Sequence, residues 1–441
     1  MSSNFFWNND KTLVYQIGNK QYFLQGFNAL IFSDLSNSSL LLEQLPSDKN
    51  LRDKLIDGLA LSLATHDRQY SEPETIKFIQ ALWMREKRTG IKRFIDLLSK
   101  RQWKDSHWDG YRDHLNHMLK VYLTGLYLYK NCKNLRETLL DASSCNEAQF
   151  IRRWLYASTF HDIGYIFELP GPEKHNENLG FIQDFVKYFL HYHDQELTDE
   201  LSELGLNTNT IDKKHNQEIL SLLNLHFRDL QSLDDLGFIE DNIGDLWTKL
   251  NKLCEGTNIG KEGVSSYYRL CLAQSPKMLN GRQPFYDHGI TGAMSLLYIA
   301  HCQKHILLKL GKELQAGELK KDHGLYKTGR VKVLKKIVEW AGDLDEFIFT
   351  VDAAATAIAL HNIYKDAWRP EEIPWQVDLS NYWIDLKEYP LPFFLILIDI
   401  LQGWDRPGFN PTVMSDKNLR GSEVVIKADD SKIYITYIDR P

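Results

Sequence analysis

The chain has 441 residues, of which 43% are hydrophobic and 25% charged, so it can bury a large core. Its net charge of -7 argues against a protein that coats nucleic acid, and no signal peptide or bilayer-spanning run stands out in the sequence. The five cysteines are odd in number and never spaced as a zinc-binding pair, which is typical of reduced packing residues in a cytoplasmic protein.

The first part of the chain combines strand and helix patterns. Residues 12–15 and 21–24, joined through Gly18-Asn19, predict a small β-hairpin. Helical patterns follow over 51–65 and 74–100. We therefore expect an N-terminal region of hairpin and helices over residues 1–104.

The first chemically informative stretch covers residues 111–125, which predict a helix with almost no polar face. His114 and His117 share one face of it, and His117, Val121 and Gly125 form a stripe that ends in a small residue, as where another helix approaches. We interpret His117 as a metal ligand. His114 would then support a ligand residue or contact the substrate. The alternative is that His114 is a core histidine held by hydrogen bonds.

The pair His161-Asp162 lies in an apolar, helix-like stretch that Gly164 and the prolines of 170–172 bring to an end. Both side chains should be buried. Neighbouring residues of a helix point about 100° apart, so they share a partner only if it lies close to the helix, as a metal ion would. The two carboxylate oxygens would also let Asp162 bridge two ions. The same dipeptide at 66–67 and 193–194 has polar surroundings and fits a solvated surface.

Two further histidines occur among small residues. His288 is followed by Gly289, Gly292 and Ala293, which would let a neighbouring helix come close. His361 ends an alanine-rich helical pattern suited to the inside of a bundle. Taken singly, each of these two histidines fits a core residue whose ring is satisfied by hydrogen bonds. Taken together with the other positions, they are better explained as metal ligands.

Asp399 interrupts the apolar run 392–401. A carboxylate buried there needs a cationic partner, which could be an arginine, a lysine or a metal ion, because an unpaired buried charge costs several kcal/mol. A buried salt bridge is the alternative to metal binding.

Beyond Asp399, residues 423–427 and 432–437 alternate as strands around a turn at 428–431 and predict a C-terminal hairpin within 411–441. The two hairpins could pair with each other or with a second subunit.

A lysine-rich stretch between 320 and 336 fits a solvated helix face. The alternative is a surface that binds an oligonucleotide.

The order of these residues resembles the HD-domain superfamily of metal-dependent phosphohydrolases, in the version with extra histidines, over residues 105–410. The resemblance implies a mainly α-helical HD-domain bundle, here with small hairpins at both ends. It implies one or two divalent ions (Mn, Fe, Ni, Co, Mg or Zn) held by six residues: His117, His161, Asp162, His288, His361 and Asp399. Two departures stand out. Residues 165–284 separate Asp162 from His288 and form either an insertion or extra helices around the site. No glycine-tyrosine-proline motif follows His361, which argues against cyclic-di-GMP specificity.

The expected activity is hydrolysis of a phosphate ester of a nucleotide or cyclic nucleotide through a metal-activated water. Alternatives are a deoxynucleoside triphosphate triphosphohydrolase, a catalytically degenerate nucleotide sensor and a single-strand nuclease. The expected partner is a phosphorylated small molecule rather than nucleic acid or membrane, and homo-oligomers remain open. Asp162, His114 and Lys120 are the catalytic candidates, and the candidate substrate-binding residues, each with a solvated cation as the alternative, are Arg112, Lys365 and Arg406.

Overall fold

The computed structural model describes residues 5–9, 12–64, 68–85, 95, 99, 114–166, 252, 288–289, 292–293, 296–297, 300, 344–361, 384–402, 422–430 and 432–439. These residues are mainly α-helical, with two small antiparallel sheets. The mainly α fold class is therefore confirmed for this part of the chain. The predicted domain boundaries stay predictions, and the insertion over 165–284 lies almost entirely outside the described residues.

A three-stranded sheet comes first, made of β1 (Phe5–Trp7), β2 (Leu13–Ile17) and β3 (Lys20–Leu24). The predicted hairpin is confirmed as β2 and β3, with Gly18 supplying the positive φ of 58° that the tight turn needs. β1 was not predicted, because three residues are too few to show alternation. The sheet packs on α1 (Gly26–Leu35), where the Tyr15 and Phe32 rings lie 4.9 Å apart edge to face.

The next helices are α2 (Ser39–Leu42), α3 (Lys49–Ala64) and α4 (Arg68–Arg85). α3 confirms the helix predicted over 51–65. The sequence predicted a helix beginning at residue 74, but α4 begins earlier, at Arg68. Pro73 lies inside α4 and does not mark its start. Of the rest of that prediction, only residues 95 and 99 are described beyond α4, and both are helical.

Five of the helices that the structure describes carry or surround the candidate site: α5 (His114–Asn131), α6 (Lys133–Ser143), α7 (Glu147–Phe160), α8 (Leu344–His361) and α9 (Pro390–Gln402). The described residues 288–289 and 292–293, which include His288, are also helical. α7 begins with a capping box in which Asn146 and Gln149 each accept from the other's backbone N–H. α5, α7, α8 and α9 pack against one another and bury most of their side chains.

Gly125 permits a close approach between α5 and α7. A Cβ placed on it would lie 2.2 Å from Cζ2 of Trp154, and the Trp154 indole donates to the Tyr122 carbonyl at 3.0 Å. The small residue at the end of the His117 stripe thus lies where α7 meets α5, as predicted.

The C-terminal hairpin consists of β4 (Ser422–Ala428) and β5 (Ile433–Asp439), as predicted. β4 packs on α1, and the Asp430 carbonyl in the turn accepts from the Asn134 backbone N–H at 2.8 Å. The two sheets are separate in the described structure, so the suggestion that the hairpins pair with each other is wrong there. None of the described helices combines the length and hydrophobicity needed to cross a bilayer.

Candidate metal centre

Seven buried polar side chains converge where α5, α7, α8 and α9 meet. They are His114, His117, His161, Asp162, His288, His361 and Asp399, and each is at most 8% exposed. The structure thus brings together all six residues that the sequence suggested as metal ligands, with His114 beside them. They come from segments far apart in the chain, so the cluster is a product of the tertiary fold.

Four helices position most of these side chains. His117 lies on α5, His361 on α8 and Asp399 on α9. His161 directly follows α7 as its C-cap residue. The helix dipole at this carboxyl end favours a cation.

The His161-Asp162 pair differs from its prediction in one respect. It occupies the turn between α7 and a 3-10 turn (Ile163–Ile166), rather than the body of a helix. His161 keeps helical dihedral angles as the C-cap residue, with φ of -61° and ψ of -36°. The two side chains still reach one common region.

The Asp162 carboxylate lies between two groups of histidines. Its Oδ1 is 3.3 Å from His161 Nε2, 3.7 Å from His288 Nε2 and 4.0 Å from His361 Nε2. On the other side, Oδ2 is 3.1 Å from His114 Nδ1 and 3.9 Å from His117 Nε2. Two candidate ligand sets share this residue: His117, His161 and Asp162, and Asp162, His288 and His361.

Asp399 adds a second carboxylate to the first of these sets. Its Oδ1 is 2.8 Å from His117 Nε2 and 3.8 Å from His161 Nε2. Two carboxylates that are at most 2% exposed therefore face the same histidines. Buried negative charge of this kind needs cations close by.

Two histidines are fixed in one tautomer by their own helices. His161 Nδ1 donates to the Ser158 carbonyl at 2.8 Å, and His361 Nδ1 donates to the Ile358 carbonyl at 2.6 Å. A carbonyl only accepts, so each bond assigns the proton of the neutral ring to Nδ1. Nε2 then carries the lone pair, and it is Nε2 that faces Asp162 in both residues.

The donor set fits a divalent ion. Ligand atoms at about 2.1 Å from one ion lie about 3 to 3.4 Å apart in octahedral or tetrahedral geometry, close to several of the separations found here. His161 Nε2 is buried without a hydrogen-bond partner among the described residues. A buried ring nitrogen in this state costs free energy, whereas binding a metal ion would satisfy its lone pair. Nitrogen and carboxylate ligands without thiolate leave the choice of metal open.

His288 is held close to this turn by a glycine. A Cβ on Gly292 would lie 3.3 Å from the Gly164 backbone nitrogen and 3.4 Å from the His161 carbonyl oxygen. The residue four positions after His288 thus lies directly against the His161-Asp162 turn. This is the close approach that the small residues after His288 suggested.

The remaining candidates are only partly described. Lys120 lies in α5, half-buried and three residues beyond His117. Arg112, Lys365 and Arg406 lie outside the described residues. Sequence reasoning did not identify the carbonyl groups of Ser158 and Ile358, although a histidine at a helix end can reach the carbonyl three residues before it.

Comparisons with known proteins add no relative to this picture. No family model, no curated protein and no solved structure matches the chain.

Proposed function

We propose that this chain is a metal-dependent phosphohydrolase of the HD-domain type that hydrolyses a phosphate ester of a nucleotide or cyclic nucleotide. The observation that carries the proposal is that the buried Asp162 carboxylate belongs to both candidate ligand sets. A site that holds only a structural ion has no need of a carboxylate shared between two ligand sets.

In this proposal His117, His161, Asp162 and Asp399 hold one ion, and Asp162, His288 and His361 hold the other. When bound, the ions would supply Lewis acidity for the phosphoryl oxygens and lower the pKa of a coordinated water towards about 7. Phosphate esters need both effects, because their negative charge repels a nucleophile and their transition state spreads charge over oxygens.

The protein's own groups would orient and shield this chemistry. His114 Nδ1, 3.1 Å from Asp162 Oδ2, would fix the rotation of the carboxylate so that Oδ1 faces His161, His288 and His361. The burial of all seven side chains keeps bulk water away and strengthens each electrostatic interaction. Lys120 is proposed to act on the phosphate from α5, and Arg112, Lys365 and Arg406 are proposed to bind it.

The nucleotide part of the proposal is supported by the order of the candidate ligands along the chain, which resembles that of the HD-domain superfamily.

The decisive experiment is a hydrolysis screen of purified protein with Mn²⁺, Mg²⁺, Ni²⁺ and Co²⁺, in which chromatography separates the products. Substrates would be nucleoside mono- and triphosphates, cyclic nucleotides and short single strands.

Asp162→Asn is the test variant, because it keeps the side-chain shape and removes the shared charge. Glu72→Gln is its matched control, since Glu72 is also a carboxylate only 1% exposed but belongs to neither candidate ligand set. Losing several kcal/mol of electrostatic stabilisation should slow turnover by on the order of 10³ in Asp162→Asn. Equal turnover in wild type and Asp162→Asn would refute the assignment.

The other outcomes separate the alternatives. Release of triphosphate from deoxynucleoside triphosphates alone would identify a triphosphohydrolase, and cleavage of single strands alone a nuclease. Tight nucleotide binding without turnover under any metal would instead indicate a sensing protein and overturn the hydrolase proposal.

A further inference from the structure

A chain of buried hydrogen bonds reaches the candidate metal centre from helices that contribute no ligand. Ser62 of α3 and Thr75 of α4 share a hydrogen bond of 2.6 Å between their hydroxyl groups. The Thr75 hydroxyl also donates to Asn116 Oδ1 of α5, and Asn116 Nδ2 donates to Ser71 Oγ of α4 at 3.0 Å. Ser62, Ser71 and Thr75 are at most 6% exposed.

The end point of this chain lies between two residues of the centre. Asn116 stands on α5, between His114 and His117 in the sequence. Ser71 and Thr75 are four residues apart on one face of α4, and both of the Asn116 bonds described above run to that face. The Asn116 amide therefore bonds both as acceptor and as donor, which fixes the orientation of its side chain.

The ligand side chains on this part of α5 need support, because groups that hold metal ligands in place raise the affinity for the ion. His117 Nε2 lies 2.8 Å from Asp399 Oδ1, and His114 Nδ1 lies 3.1 Å from Asp162 Oδ2. The Asn116 side chain, bonded to α4, restrains the backbone between these two histidines.

We infer that Thr75 and Asn116 are positioning residues for the metal centre, acting through the α5 backbone on His117 and His114. This inference rests on the proposed metal-dependent function. Ser62 and Ser71 complete the anchor, so α3 and α4 contribute to metal affinity although neither supplies a ligand. Groups that support metal ligands from behind typically change metal affinity by 10- to 100-fold when they are removed.

The test compares Thr75→Val, which removes the hydroxyl at nearly constant shape, with Thr75→Ser, which keeps it. Tyr15→Phe is the control, because it also removes a largely buried hydrogen bond, from Tyr15 to Asp57 Oδ1 at 2.7 Å, on the β2 and α3 side of the molecule. Binding of Co²⁺ to the full-length chain, followed by its visible absorption spectrum, reports both affinity and ligand geometry. Amide hydrogen exchange of the peptide over residues 115–122 reports the stability of this part of α5 without any metal.

We expect Thr75→Val to weaken Co²⁺ binding by about 10-fold or more, to alter the Co²⁺ spectrum and to speed amide exchange in that peptide. Thr75→Ser should restore wild-type values, and Tyr15→Phe should leave both readouts unchanged. Faster exchange with unchanged Co²⁺ affinity and spectrum would overturn the positioning role and leave only a structural one. If exchange and Co²⁺ binding both match wild type, the inference also fails.

Failure of the metal proposal would look different. A wild-type chain that takes up no Co²⁺ would refute the metal centre and with it the positioning role, and amide exchange would then show only whether the hydrogen-bond chain stabilises α5.

Discussion

Gly125 lets α5 lie against the Trp154 ring of α7, and its replacement by alanine tests how tightly these two site-bearing helices pack. The added Cβ would lie 2.2 Å from Cζ2, 2.3 Å from Cε2 and 2.6 Å from Nε1 of a ring that is fully buried. The ring would have to move by about 1 Å or more to reach ordinary contact distance. Such a shift would also stretch the 3.0 Å bond from the indole to the Tyr122 carbonyl.

The magnitude follows from three contributions. Overpacking a well-packed core costs about 1 to 3 kcal/mol. Losing the indole hydrogen bond in a buried place costs about 1 to 3 kcal/mol more. Alanine offsets about 1 kcal/mol, since it is the better helix former. We expect Gly125→Ala to lower the free energy of unfolding by about 3 kcal/mol.

Gly58→Ala is the matched control. Gly58 is also buried within a helix, α3, but its added Cβ would meet Oε2 of Glu74 at 2.5 Å, the far end of a flexible side chain. The Glu74 side chain can rotate away if it gives up its ion pair with Lys77. The Lys77 side chain is more than half exposed, so this ion pair contributes little to stability. The gain in helix propensity should leave Gly58→Ala within about 1 kcal/mol of wild type.

Urea denaturation followed by circular dichroism and tryptophan fluorescence measures both changes. Because the clash is with the indole, Gly125→Ala combined with Trp154→Phe should be less destabilised than the sum of the two single variants. The packing argument is refuted if the two glycine variants have equal stability, or if the double variant is strictly additive.

Three further predictions concern other parts of the molecule. Removing divalent ions with a chelator should lower the unfolding temperature, and restoring Mn²⁺ at a thousand times its Kd should regain about 4 kcal/mol by calorimetry, with no such difference in Asp162→Asn. Asn146→Ala should lower the free energy of unfolding in urea by about 1 kcal/mol because α7 loses its capping box, whereas Asn146→Ser should come close to wild type; equal loss in both would contradict a capping role. Burial, and then the hydrogen bond to Asp57, raise the pKa of Tyr15 above its ordinary 10.0, so the unfolded chain ionises first and stability falls as the pH rises beyond 10. Tyr15→Phe should lose less stability than wild type between pH 10 and 12 in urea titrations, and parallel curves would show that Tyr15 does not titrate in this way.

Much of the candidate centre could be anticipated from the sequence, because a polar residue surrounded by apolar neighbours in the chain is expected to be buried. Asp399 within 392–401 and His161-Asp162 after an apolar helix both pointed to buried charge, and both are buried. The small residues Gly125 and Gly292 likewise marked close approaches that the structure contains. These inferences needed only local pattern and the cost of burying polar groups.

What could not be read locally are the contacts between distant segments. No pattern near Asn116 indicates Thr75, 41 residues away, and nothing near Asp162 states which of its oxygens faces which histidine. The end of α7 before His161 also depends on the fold, since the sequence placed the stop at Gly164 and beyond. Residues that bind substrate are the hardest to anticipate, because pocket shape is not set by ligand spacing.

The contact between His117 and Asp399 spans 282 residues of chain, and this separation has a consequence for synthesis. At about 5 to 20 residues per second, a ribosome would take roughly 15 to 60 s to add Asp399 after His117. Throughout that interval the chain lacks the α9 carboxylate that faces His117. The buried histidine of α5 therefore gains its carboxylate partner only after translation has passed residue 399, late in the synthesis of this chain.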